Sequence, residues 1–194
     1  MLLLIVASIR LYLWESNGVG MGEAVMAKAH RPKSSQPIDP RAVFELAYRF
    51  CLADEHIRDG KNLKAPIMAA PSMVLSAFAS ELLLKCLLLI ENKEVDTTHS
   101  LNRLYQKISH TQKRRIDSAW EAEARPHIDS FCRIHGLPSD LANALVTCGR
   151  AFEQLRYGYE APEGEGQRFY IGHLPRILCE AIIEIKPEWR ATGL

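Results

Sequence analysis

Between Ser72 and Glu91 the chain carries Met73, Val74, Leu75, Phe78, Leu82, Leu83, Leu84, Leu87, Leu88, Leu89 and Ile90, and the only charges inside this stretch are Glu81 and Lys85. A helix that is apolar on every side has to be surrounded, because a surface helix keeps one polar face. About 20 residues also just suffice to span a bilayer. A carboxylate, an ammonium and three serines are expensive in lipid, however. The stretch is therefore expected to be the central helix of an all-α core, with no stable membrane insertion. Glu81 and Lys85 stand four apart in the favourable order for a helical pair. Burying either charge alone would cost several kcal/mol, so each must find a partner.

The remaining segments supply helices to surround it. Asp39-Pro40 is a cap followed by proline at the first helical position. Val43, Phe44, Leu46, Ala47, Phe50 and Cys51 then form one apolar stripe, and the helix runs to about Arg58, before Gly60. Pro66 and Pro71 bracket a short lead-in to the central helix. Leu101, Leu104, Tyr105 and Ile108 share a face after Thr98-His99-Ser100. A basic helix follows from Thr111 to Ala124, and Pro126 is expected to kink or break it. A short helix to Ile134 comes next, followed by Gly136. Ser139 is the expected cap of a helix whose seam is Leu141, Leu145, Cys148, Phe152 and Leu155. Glu160 to Gln167 reads as an exposed loop. The last helix begins near Leu174-Pro175 and stops before Pro187. The expected architecture is an up-and-down bundle of about five helices with a short helical insertion, occupying residues 39–190.

Residues 1–38 are expected to be a disordered tail and linker, with Arg31-Pro-Lys-Ser-Ser-Gln-Pro37 as its polar end. The apolar opening, MLLLIVASIRLYLWE, has no basic region before it, is interrupted by Arg10 and lacks a small-residue cleavage site. Three readings stay open for it: a mis-called start, with Met21 and Met26 downstream; a packing or membrane-touching helix; or a signal or anchor. Five widely spaced cysteines with no C-x-x-C read as reduced thiols of a cytoplasmic protein. A formal net charge of +1 leaves no global field to steer the chain to nucleic acid.

Two segments carry a family resemblance. Ala79-Ser-Glu81-Leu-Leu-Leu-Lys85-Cys-Leu-Leu-Leu, a charged loop and then Thr98-His99-Ser-Leu101 resemble the HEPN domain, and so does Ala151-Phe-Glu-Gln-Leu-Arg156-Tyr-Gly-Tyr-Glu160. The likeness spans Asp39 to Ile185. It implies a helical bundle that dimerises, acting either as a metal-independent ribonuclease in toxin–antitoxin, phage-defence or RNA-processing systems or as an inactive binding module. It also implies a polar centre of Glu81, Lys85, His99, Arg156 and Tyr157. RNA, a nucleotide or a cognate protein would be the ligand, with no cofactor and no metal.

Active members of that family carry an arginine followed, after four to six residues, by a histidine. Counted from Arg156, that position holds Ala161, Pro162 or Glu163, which argues against catalysis there. Arg168 and His173 have the required spacing just ahead of the last helix, but so do Arg49 with His56 and Arg103 with His110. A spacing met three times has low specificity. The leading expectation is a binding or regulatory module. The second is an endoribonuclease using Arg168 and His173 as its catalytic pair, and the third a structural dimerisation bundle. His127, Asp129, Cys132 and His135 lack the closed four-ligand spacing of a zinc site. Lys113-Arg114-Arg115, with Lys107 and Arg103, is either a phosphate contact or a solvated face.

Overall fold

A computed structural model describes residues 37–59, 65–95, 97–149 and 172–190, with side chains from 69 onward in the second span. The N-terminal unit, Met1–Pro37, is separate from Ile38–Leu194. All but its last residue lies outside the described residues, and so does the expected tail up to residue 36.

The described residues are all-α, without a strand: α1 (Pro40–Asp59), α2 (Ala65–Ile90), α3 (Leu101–Lys107), α4 (His110–Ala119), α5 (Arg125–Ile134), α6 (Leu141–Cys148) and α7 (Leu174–Ile185). A π-helical turn, Trp120–Ala124, joins α4 to α5, and a 3-10 turn, Pro187–Trp189, follows α7. α1 and α2 form an antiparallel hairpin. Cys86 Sγ donates to the Pro40 carbonyl at one end, Phe50 meets Phe78 edge-on at 4.8 Å midway, and Ser76 reaches Asp54 towards the other. Leu83, Leu84, Leu87 and Leu88 of α2 are fully buried, among Leu104, Ile116, Trp120, Leu145, Leu178 and Ile182 from the helices around it. α2 is long and apolar enough to cross a membrane, yet 56% of its apolar window is buried inside the protein. Its all-round hydrophobicity thus meets protein on most sides, as a central helix requires.

Three local features depart from the sequence expectation. α2 begins at Ala65, so Pro71 lies inside it rather than ahead of it. The proline removes one hydrogen bond near the helix start, while Ser72 and Ser76, just beyond it, are tied to Asp54 of α1. Pro126 does not break the chain of helices. Its missing N–H is absorbed by the π-turn, where Arg125 N–H bonds the Trp120 carbonyl. Asp140, not Ser139, caps α6, its carboxylate accepting Asn143 N–H at 2.8 Å. The Ser139 carbonyl instead accepts the buried Trp120 indole at 3.0 Å. Phe152 and Leu155 of the expected seam lie outside the described residues, whereas Leu141, Leu145 and Cys148 are buried as anticipated.

Candidate functional site

α2 stops sharply. Asn92 adopts φ 54°, its N–H bonds the Leu89 carbonyl, and Lys93 N–H bonds the Leu88 carbonyl at 2.8 Å. This is the left-handed helix stop that Asn tolerates nearly as well as glycine. The chain then turns back, and Ser100 caps α3 by accepting Arg103 N–H. His99, directly before that cap, thereby comes to rest against Glu81, 18 residues earlier.

Its Nδ1 lies 3.1 Å from each Glu81 oxygen, while Lys85 Nζ lies 2.6 Å from Oε1. Glu81 is only 7% exposed. The Lys85 side chain is 17% exposed and that of His99 81%. An ionised carboxylate can only accept hydrogen bonds, so this contact fixes a proton on His99 Nδ1. Nε2 is left facing water, where it can accept from, or when protonated donate to, a ligand. A buried carboxylate thus holds an exposed imidazole and a half-buried ammonium in fixed positions. Three of the five residues expected in the polar centre are together; Arg156 and Tyr157 lie outside the described residues.

Of the expected catalytic pair, Arg168 also lies outside them. His173 stands directly before α7, half-buried, with its ring stacked on that of His127 of α5 at 5.4 Å and 8°. Burial lowers its pKa first, and His127, Arg176 and Arg58 lower it further against an opposing pull from Glu123. The surroundings of His173 therefore favour its neutral ring over the protonated one.

The sequence reading missed Asp54. It is 1% exposed and accepts hydrogen bonds from Ser72 and, at 2.7 Å, from Ser76, while Arg58 Nη2 lies 3.0 Å from it. Its spacing of four from Arg58 was visible, but its burial depends on serines of a different helix.

Two residues of the basic segment are engaged within the protein, while Arg103, Lys107 and Arg114 are exposed. Lys113 Nζ donates to the Gln106 carbonyl at 2.7 Å and lies over the Tyr105 ring, and Arg115 pairs with Glu184 of α7 at 2.8 Å. No group of three or more metal-ligating side chains exists among the described residues. Cys132 of the candidate set is buried, and His135 meets the Phe131 ring edge-on. Comparison with protein-family models, with curated proteins and with solved structures finds no match to any of them.

Proposed function

We propose that residues 39–190 act as a HEPN-like binding or regulatory module, cytoplasmic and homodimeric, in a bacterial defence or toxin–antitoxin setting. The observation that carries this reading is the Glu81–Lys85–His99 cluster. A charge buried at the centre of a leucine-rich helix is costly, and here it orients an exposed imidazole that no packing requirement explains. Such an arrangement suits recognition of an RNA, a nucleotide or a polar segment of a cognate protein, with Arg156 and Tyr157 as further contacts. Fluorescence anisotropy of a labelled oligoribonucleotide, measured on the native chain and on His99→Ala, tests the ligand class nearest the resemblance. The expected result is weakening of about tenfold, roughly 1.4 kcal/mol, measured at a temperature where both proteins are folded, because His99→Ala also takes a hydrogen-bond donor from buried Glu81. Equal affinity in the two proteins would remove His99 from the binding site. Sedimentation at micromolar concentration tests the dimer, and a monomer alone would overturn it.

A second reading, a metal-independent endoribonuclease using Arg168 and His173, is favoured by the downward shift of the His173 pKa, which suits the neutral ring that a general base needs. Incubating the purified protein with total RNA in EDTA separates the two. Cleavage abolished by His173→Ala would establish the enzyme, and intact RNA would leave the binding module. A structural dimerisation bundle, the third reading, would show a dimer and no ligand.

A further inference from the structure

Where α1, α5 and the start of α7 meet, two guanidinium groups and two imidazoles converge. His127 and His173 stack with centroids 5.4 Å apart. Arg58 reaches the same corner from the end of α1, since a Cβ added at Gly172 would stand 3.4 Å from its Nη1. Arg176 lies three residues beyond His173, in the first turn of α7. Both arginines already have a carboxylate, Asp54 for Arg58 at 3.0 Å and Glu123 for Arg176. Asp54 is buried and tied to two serines, so the Arg58 guanidinium is anchored at its base while its side chain keeps 43% of its exposure.

We propose that this corner is a binding site for a phosphomonoester dianion. The charge balance carries the choice of ligand. With both imidazoles neutral, each arginine is offset by its own carboxylate and the cluster has no net charge. Protonating both imidazoles adds two positive charges at close range, and these repel unless an anion lies between them and the arginines. A dianion balances both imidazolium charges, whereas a phosphodiester, with one charge, balances only one. Guanidinium forks supply the planar paired N–H donors that phosphate oxygens accept. The proposal requires neither the Glu81 centre, nor Arg168, nor any cleavage of RNA. It shares only His173 with the endoribonuclease reading, and each can fail without the other.

Imidazole NMR of the full chain tests it, with inorganic phosphate as the first probe at constant ionic strength. Phosphate at about 10 mM is expected to move the C2–H resonances of His127 and His173 and to raise both midpoints by about one pH unit, leaving exposed His110 unmoved. Unmoved resonances at His127 and His173 would overturn the site. A trinucleotide bearing a 5′-phosphate then separates a terminal phosphate from a backbone one. It should bind about fivefold or more tightly than its 5′-hydroxyl counterpart, and equal binding would overturn the preference for a monoester. Arg176→Gln, an exposed change, should weaken phosphate binding about threefold or more, and an unchanged affinity would count against the site. Arg58→Gln risks unfolding the chain, because it strips the counter-ion from buried Asp54. His127→Ala, at an exposed position, gives a second variant that should lose the His173 response to phosphate, and its persistence would refute the paired-imidazole site.

Discussion

Glu81 and Asp54 are both carboxylates shut away from water, and each is held by groups from more than one segment: Lys85 and His99 for Glu81, Arg58, Ser72 and Ser76 for Asp54. Removing one partner of a buried pair costs more than removing both, since the remaining charge stays unpaired. Lys85→Met is therefore expected to lower stability by about 3 kcal/mol, while Glu81→Gln combined with Lys85→Met should recover most of that loss. Urea denaturation of the four proteins of this cycle checks it, and additive losses would show that the two side chains do not act as a pair. At Asp54, alanine would strand two hydroxyls and a guanidinium, at a cost of about 3 kcal/mol. Ser76→Ala removes one donor of a still-charged group and should cost about 1.5–3 kcal/mol. Thermal and chemical unfolding of both variants measure the difference. Glu81 was legible in the sequence because it interrupts a stretch that is apolar on every side of the helix. Asp54 was not, because Ala53, Glu55 and His56 around it read as the polar end of α1, and no local pattern announces Ser72 and Ser76 from the next helix.

Among the elements, the helices themselves followed from apolar spacing, and the departures concentrate at their joints, where one residue decides between two local geometries. Pro126 is expected to kink or break the helix because it cannot donate to the turn before it. A π-turn offers the other solution, widening the helix by one residue so that the run continues from α4 to α5. Ser139 and Asp140 are both competent caps, and only the burial of Trp120, whose indole takes the Ser139 carbonyl, separates them. Gly136 follows the end of α5 at Ile134. It sits at φ 63°, with Leu137 N–H on the Cys132 carbonyl and Gly136 N–H on the Arg133 carbonyl. A Cβ there would meet nothing within 4 Å, so Gly136→Ala tests backbone strain alone and should cost about 1 kcal/mol in urea denaturation. The start of α4 depends on Glu91, whose two oxygens accept Ser109 N–H at 3.2 and 3.0 Å and whose Oε2 lies 2.7 Å from Lys93. Burial raises the Glu91 pKa, but these hydrogen bonds and the Lys93 charge outweigh it and hold it below the ordinary glutamate value. A carboxyl with a depressed folded pKa contributes stability above its unfolded pKa and loses it as pH falls towards the folded one. Stability should thus decline in that acid window, and Glu91→Gln should flatten the decline.

For the whole molecule, the cysteines report whether the helices hold together as one cooperative unit. Cys51, Cys86, Cys132, Cys148 and Cys179 lie on five different helices, α1, α2, α5, α6 and α7, and all are buried. Their role as small core residues was legible from sequence. The approach of Cys51 and Cys179 to 3.8 Å was not, because 128 residues separate them and only the packing of α1 on α7 brings them together. The nucleophile in thiol chemistry is the thiolate, and this interior suppresses it. Burial, helped by Asp39, pushes Cys86 up to about 12. Its hydrogen bond with Cys51, then burial, raises Cys179 further. Modification by an aromatic disulfide reagent at pH 8 therefore has to wait for opening. If the bundle opens as a unit, all five thiols should react with one rate constant, and that rate should rise with urea along the slope of global unfolding. A thiol that reacts ahead of the others would mark its own helix as opening separately. Cys132 and Cys148 are the informative ones, because α5 and α6 lie outside the α1–α2–α7 packing in which Cys51, Cys86 and Cys179 are held. Early reaction at Cys132 would also bear on the proposed anion site, since α5 carries His127, and added phosphate should then slow that thiol alone. Simultaneous release of all five would instead make the corner as stable as the core, with phosphate slowing every thiol equally through mass action on the folded state.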